Sequence, residues 1–241
     1  MSHPERIVPD ETEPGIVALH LKRYEFAVRW CAQREVLDGG CGVGYGSAFL
    51  GAVARRVRGV DVSEEAIAYA RDRYASENVE FDAMDLAALA LDDASMDAVC
   101  MFEVIEHVPD PDAVLREVVR VLRPGGTLVV STPRADETTT APENPFHERE
   151  LSVADFDALL HRFFVEVDLY GQRRLQTARH RLMQRLDMFG LRRRLPFLRG
   201  ASAVVLGTPA TAEVTAEGIV IAPDGIEAAT ELVAVCRTPE P

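Results

Sequence analysis

The chain has 241 residues and a formal net charge of −13, with 26 basic side chains against 39 acidic ones. That length suits one α/β domain with an insertion and a large buried core, and two full domains would be cramped. The acidic balance argues against bulk nucleic acid as a partner, because neutralising phosphates needs clustered Lys and Arg. Cys31, Cys41, Cys100 and Cys236 are far apart with no CxxC pair, which reads as packed free thiols in a reducing compartment rather than a disulfide or zinc framework. The first residues are polar and acidic with no apolar leader, and no run approaches the roughly 18 apolar residues of a membrane span. A cytoplasmic protein is the expectation.

Residues 1–15, acidic and interrupted by prolines, read as a flexible arm. In 16–31, Val17, Leu19, Leu21, Tyr24, Phe26, Ala27 and Trp30 recur at roughly helical spacing, predicting a helix ahead of the first strand. An apolar run then begins at Val36 and stops at Asp38 and a glycine-rich turn that includes Gly40, Gly42 and Gly44. A helix-compatible segment follows, the pattern of a buried strand turning into a helix. Glycines there allow positive φ and let a ligand approach the main chain without meeting a Cβ.

Two cofactor classes use such a turn, and spacing separates them. The dinucleotide fingerprint is GxGxxG. Counted from Gly40 and Gly42, its third glycine would be Tyr45; counted from Gly42 and Gly44, it would be Ser47. Neither register fits, which weakens the reading as an NAD enzyme. The run DxGCGxGxG instead resembles the class I S-adenosylmethionine-dependent methyltransferases. The resemblance implies that Asp38 lies near the methionine part of the cofactor and that Gly40, Gly42 and Gly44 pack along it. It also puts Arg23 about where related O-methyltransferases hold the methionine carboxylate, the alternative being an exposed charge on a packed helix.

Residues 57–62 read as a second strand ending at Asp61, with Ser63 as the N-cap of the next helix. A carboxylate at that strand tip can accept both ribose hydroxyls of an adenosyl group; the bland reading is a turn residue. Val79, Glu80 and Phe81 give a third strand. The resemblance implies that Asp85 bonds the adenine amino group and that Val62, Met84 and Leu86 flank the ring, Met84 and Leu86 being equally readable as core. Residues 97–102 form a fourth strand, apolar as a strand covered on both faces should be. It delivers Phe102 and the segment after it to the strand ends where open α/β sheets bind ligands.

A helix over 113–122, a stop at Arg123-Pro124-Gly125-Gly126 and a fifth strand over 127–132 follow, in a run similar to the same family. Ser152 and Asp155 form a capping-box pair before another helix, 164–170 is a sixth strand and 232–236 the last, which the family pattern inserts antiparallel between the fifth and sixth. The expected fold is therefore α/β: a doubly wound, seven-stranded, Rossmann-like methyltransferase sheet with its last strand antiparallel, an N-terminal helix and an inserted basic helical lid. The domain would comprise 16–170 and 230–241, with 171–229 inserted as a lid or substrate region. Within it, 171–200 carries nine arginines and one acid, Asp187, interleaved with leucines and phenylalanines. This is an amphipathic basic element suited to a lid, an anionic substrate, peripheral contact with an anionic membrane, or packing on the acidic body.

For chemistry, Glu103, Glu106 and His107 stand at i, i+3 and i+4, so on a helical turn all three share one face. Two carboxylates and an imidazole make a half-site for a divalent metal, with His147 as a fourth ligand. The ExxEH segment and later His resemble the quinone-biosynthesis O-methyltransferases and the small-RNA 2′-O-methyltransferases, which implies a divalent metal bound to neighbouring hydroxyls of the acceptor; the mixed carboxylate and imidazole set suits Mg²⁺, and Mn²⁺, Fe²⁺ or Zn²⁺ at least as well. In relatives without metal, Glu103 touches the cofactor amine, and His147 or His107 would be the general base. His20 and His161 read as structural. The expected reaction is methyl transfer from S-adenosyl-L-methionine to a hydroxyl of a small molecule or glycan. A C-methyltransferase acting on a quinone-like ring and a non-catalytic cofactor-binding partner subunit are the alternatives, and the oligomeric state is not legible.

Overall fold

A computed structural model describes residues 6–174 and 218–238. Eight strands form one sheet in the order β3-β2-β1-β4-β5-β8-β6-β7. They are β1 (Glu35–Gly39), β2 (Arg56–Asp61), β3 (Val79–Ala83), β4 (Met96–Phe102), β5 (Leu122–Pro133), β6 (Glu166–Arg174), β7 (Ile219–Ala222) and β8 (Glu231–Arg237). β1 to β5 pair in parallel, and β8 runs antiparallel between β5 and β6.

The helices divide between the two faces, as the apolar pattern of the central strands requires. Alternate residues of β4 and β5 point to opposite sides. Ala98, Cys100 and Val129 join a core with Tyr24, Ala27 and Cys31 of α1 (Pro14–Cys31), Leu50 of α2 (Tyr45–Gly51) and Ile67 and Ala70 of α3 (Glu64–Tyr74). Val99, Met101, Leu128 and Val130 join the other core with Val114, Leu115 and Val118 of α4 (Pro111–Val121) and Phe156 and Leu160 of α5 (Val153–His161). The change of face falls between β1 and β4, the switch point at which such sheets open a crevice beyond their carboxyl ends.

Local signals set the boundaries. Ser63 Oγ accepts from the Ala66 N–H at 3.3 Å, Asp110 Oδ1 from Ala113 at 3.0 Å, and Ser152 Oγ from Asp155 at 3.2 Å, so α3, α4 and α5 each start at a side-chain cap. The capping box at Ser152 is not reciprocal: its backbone N–H goes to Thr138 Oγ1 at 2.9 Å.

The structure corrects several expectations. The described residues form eight strands, not the expected seven, because Ile219–Ala222 adds an outer strand antiparallel to β6. β6 itself starts two residues later than expected, Phe164 being drawn into the core, and continues to Arg174. Thus the ends of the stretch read as insertion belong to the sheet. Residues 6–13, read as a flexible arm, instead form a turn with Val8 buried and with Arg73 of α3 paired to Asp10 at 2.5 Å. The basic lid expected within 171–229 falls mostly on 175–217, outside the described residues. Among the described residues no helix is long and apolar enough to cross a membrane.

Candidate active site

The glycine turn between β1 and α2 holds Gly40, Gly42 and Gly44 at φ of +72°, +54° and +89°. A Cβ at Gly40 would lie 2.3 Å from Val104, and one at Gly44 2.7 Å from Ala70 and Phe81, so those two glycines serve packing. A Cβ at Gly42 would meet nothing within 4 Å. That residue opens onto space at the crevice, where a ligand can lie against the main chain.

The turn is tied down by its neighbour strand. The Gly40 and Cys41 N–H groups donate to the Val60 carbonyl at 2.8 and 2.9 Å. Asp61, at the tip of β2, accepts from the Gly42 N–H on Oδ2 and from the Ser63 N–H on Oδ1, both at 2.9 Å. A carboxylate oxygen has two acceptor sites, so Asp61 can brace the turn and still accept two hydroxyls. Val62 beyond it is 78% exposed, an apolar shelf beside the turn. Met84 is half-buried, and Asp85 is exposed with Oδ1 accepting from the Ala87 N–H at 2.8 Å. Leu86, named as a candidate ring contact, is packed in the core against Gly39.

α1 covers this crevice. Asp38 is buried and accepts from Ser47 Oγ at 2.6 Å and from the Tyr24 hydroxyl at 3.2 Å. Burial raises its carboxyl to about 7, although both hydroxyl donors pull the other way. Phe102 is buried edge-on to Tyr24, with ring centroids 4.9 Å apart. His20 is half-buried with Nδ1 2.5 Å from the Tyr45 hydroxyl and a further bond to the Phe102 backbone. Burial, then the Arg23 charge, lowers His20 to about 3, so it stays a neutral imidazole.

Arg23 is buried, and its Nη2 lies 3.1 Å from Glu103 Oε2, while its Nε has no partner. It is therefore not the exposed charge that sequence allowed. Glu103 is a non-glycine residue at φ +54°, a left-handed conformation that costs about 1–2 kcal/mol. Ser131 Oγ donates to its Oε1 at 2.6 Å.

The expected helical face of Glu103, Glu106 and His107 does not form. The left-handed Glu103 bends the chain out of β4, and the turn after it closes through the His107 N–H to the Val104 carbonyl at 3.0 Å. Glu103 is thereby held by Arg23 and Ser131, apart from the other candidate ligands. Ligand atoms of Glu106, His107 and His147 gather within 4.8 Å of one another. Glu106 is buried, with Oε2 accepting from Thr132 Oγ1 at 3.1 Å and Oε1 without a partner. Burial and the neighbouring Glu103 push its carboxyl well above the usual range.

The two histidines are oriented by what they donate to. His107 Nδ1 lies 2.9 Å from the Phe146 carbonyl, and His147 Nδ1 lies 2.9 Å from Glu150 Oε1. A carbonyl and a carboxylate only accept, which assigns the proton to Nδ1 in both rings and the lone pair to Nε2, where in His147 it accepts from Asn144 Nδ2 at 2.9 Å. An imidazole whose other nitrogen donates to oxygen is the usual arrangement of a metal-ligating histidine. With the partnerless Glu106 oxygen, these residues fit a divalent cation. Their loops are joined by Arg149, whose guanidinium donates to the Val108 and Pro109 carbonyls at 2.6 and 2.8 Å, and by the Glu148 N–H donating to the Glu106 carbonyl at 2.8 Å.

Sequence reasoning missed Tyr24, Ser47, Ser131, Thr132 and Glu150. A signal existed for Ser131 and Thr132: a polar pair closing an otherwise apolar central strand stands where the crevice opens. For Tyr24 there was none, because a helical tyrosine among apolar neighbours reads as core.

Comparison with known proteins agrees with this geometry. Residues 37–130 match the family model described as a methyltransferase domain. A Mycolicibacterium smegmatis protein named "Probable S-adenosylmethionine-dependent methyltransferase" is 41% identical over 168 residues, covering 68% of this chain and 65% of its own. A Mycobacterium tuberculosis protein of the same description is 42% identical over 172 residues, covering 69% and 62%. The match thus spans a little under two thirds of these relatives. The ubiquinone biosynthesis O-methyltransferase of Xanthomonas oryzae is 39% identical over 106 residues, covering 42% of this chain and 44% of that one. Among solved structures, the SpnF cyclase has a TM-score of 0.62 at 20% identity, covering 98% of this chain and 87% of its own. The Burkholderia thailandensis 1,6-didemethyltoxoflavin-N1-methyltransferase has a TM-score of 0.59 at 18% identity, covering 92% and 79%. Those two likenesses speak for the fold alone. With the glycine turn, Asp61 and the sheet order, these matches give residues 37–130 a methyltransferase domain and the chain the class I S-adenosylmethionine-dependent methyltransferase fold.

Proposed function

We propose that this protein transfers a methyl group from S-adenosylmethionine to a hydroxyl of a small molecule or glycan, with the Glu106, His107 and His147 cluster handling the acceptor. The observation that carries the reading is the meeting of two imidazoles with the buried Glu106, the ligand atoms of Glu106, His107 and His147 lying within 4.8 Å of one another. The cofactor supplies an electrophilic methyl carbon on a sulfonium. Gly42 and Asp61 are the residues suited to lie along it, with Val62 and Met84 as apolar walls for an aromatic ring.

A hydroxyl attacking that carbon must lose its proton as the bond forms, and a neutral imidazole takes it at neutral pH. His107 Nε2 can hold that proton, because the Phe146 carbonyl keeps Nδ1 protonated and so leaves Nε2 basic. His147 is oriented likewise by Glu150. A divalent cation held by Glu106, His107 and His147 would take those lone pairs and, in place of an imidazole base, supply Lewis acidity and a template for two neighbouring acceptor oxygens. The mixed carboxylate and imidazole set suits Mn²⁺ at least as well as Mg²⁺.

The test is transfer of isotopically labelled methyl from S-adenosylmethionine to a panel of vicinal diols and monohydroxyl compounds, with chelator and with added Mn²⁺. His107→Ala and His147→Ala should each lower turnover on hydroxyl acceptors by about 10²–10⁴-fold, the usual worth of a positioned acid or base. Turnover on a carbon acid that is indifferent to both substitutions would favour a C-methyltransferase instead.

A further inference from the structure

The cofactor features occupy the β1 and β2 half of the crevice, which leaves the β5, β8 and β6 half for the second substrate. There, Pro133 of β5 stands opposite Glu231 of β8, and Glu231 opposite Gln172 of β6. Side chains alternate faces along a strand. Val233, Val235 and Tyr170 belong to the core under α1, so Glu231 and Gln172 lie on that same face. Directly paired residues there have Cβ atoms about 5 Å apart, which makes the two side chains neighbours.

Both offer acceptors. Gln172 is buried, and its Nε2 donates to the Leu19 carbonyl of α1 at 3.0 Å. That bond fixes which end of the amide is which and turns Oε1 away from Leu19; Oε1 has no partner. Leaving a buried acceptor unpaired costs about 1–3 kcal/mol, a cost a bound donor would relieve. Glu231 is half-buried, with Thr230 Oγ1 2.7 Å from its Oε2. Of the nearby cations, Arg23 is paired to Glu103 through Nη2.

We propose that Gln172 and Glu231 form a subsite that orients the methyl acceptor by accepting hydrogen bonds from two adjacent hydroxyls of a neutral polyol, such as a sugar ring. This deepens the hydroxyl-acceptor reading and rests on it. Gln172 and Glu231 touch the part of the acceptor that is not methylated, and so select it without taking part in proton transfer.

The test uses full-length protein labelled with [15N]glutamine and saturated with S-adenosylhomocysteine, with the Gln172 side-chain amide signal identified by its loss in Gln172→Leu. Methyl α-D-glucopyranoside is titrated as the vicinal-diol probe, with cyclohexanol as the single-hydroxyl control and ethylammonium as a cationic one. The expected result is a saturable shift of the Gln172 signal with the glucoside alone, and an affinity lowered about tenfold in Glu231→Gln while S-adenosylhomocysteine affinity stays within about twofold. A Gln172 signal unmoved by the glucoside, or moved only by ethylammonium, overturns the subsite. Equal loss of homocysteine-ligand affinity in Glu231→Gln overturns it too, by placing Glu231 in the cofactor site. Absence of S-adenosylhomocysteine binding to the wild type, measured by calorimetry on the same sample, is the separate failure of the methyltransferase reading.

Discussion

Gly42 and Gly44 sit two residues apart in one turn, both at positive φ, yet the space around them assigns them different work. A side chain at Gly44 would strike Phe81 and Ala70, whereas one at Gly42 would enter the open crevice. Gly44→Val should therefore destabilise the protein by well over the 1–2 kcal/mol of left-handed strain. Gly42→Val should pay only about that strain while weakening S-adenosylhomocysteine binding at least tenfold. Urea unfolding and calorimetry on the two variants separate these effects. Sequence named both glycines from one motif but could not divide their roles, because which Cβ collides depends on residues far along the chain.

Asp38 carries a pH signature. Its carboxyl is raised from 3.8 to about 7 by burial, so between those values the folded chain holds a proton that the unfolded chain has released. Stability from this group is fully present below about pH 4 and declines as pH rises toward 7, by at most about 1.4 kcal/mol per pH unit. His20, lowered from 6.5 to about 3, works the other way, its stabilisation being present above pH 6.5 and lost as pH falls toward 3. The difference in unfolding free energy between wild type and Asp38→Asn should thus fall with rising pH over this window. A flat difference would show Asp38 to be ionised throughout.

At the scale of elements, the candidate cluster depends on two loops that meet, the turn after β4 and the segment 144–150. Arg149 bridges them through two carbonyls that no lysine could take together in the same plane. Arg149→Ala and Arg149→Lys should both weaken Mn²⁺ binding by about 10–100-fold, the range for residues that orient metal ligands, with S-adenosylhomocysteine affinity unchanged. Mn²⁺ titration followed by electron paramagnetic resonance reads this directly, and full affinity in both variants would show that the loops hold without the bridge. The ExxEH spacing suggested a shared helical face, and the chain made a turn instead. The reason lies in Ser131 and Arg23, which capture Glu103 from another strand and another helix and are invisible to a local reading.

For the whole molecule, the succession of elements was legible because local periodicity and turn signals agreed, with an apolar strand ending at an acid ahead of a helix at β1, β2 and β4, while the place of the last strand in the sheet came from the family resemblance. β7 escaped notice, since four residues after a turn-rich stretch look like a strand only once β6 offers them an edge. The partition of the crevice was equally out of reach of sequence, as it rests on Gln172 and Glu231 meeting across strands far apart in the chain. What the sheet order delivers is a glycine turn and Asp61 on one side of the switch point and a carboxylate and imidazole cluster on the other, the layout needed to bring a methyl donor and its acceptor together.

The most direct test of that layout is calorimetric titration of S-adenosylhomocysteine into the purified protein and into Asp61→Asn. Saturable binding of one equivalent to the wild type, weakened about tenfold or more in the variant while its thermal midpoint stays within a few degrees, is the predicted result. No binding to the wild type, or equal affinity in both proteins, would contradict the assignment of the crevice to this cofactor.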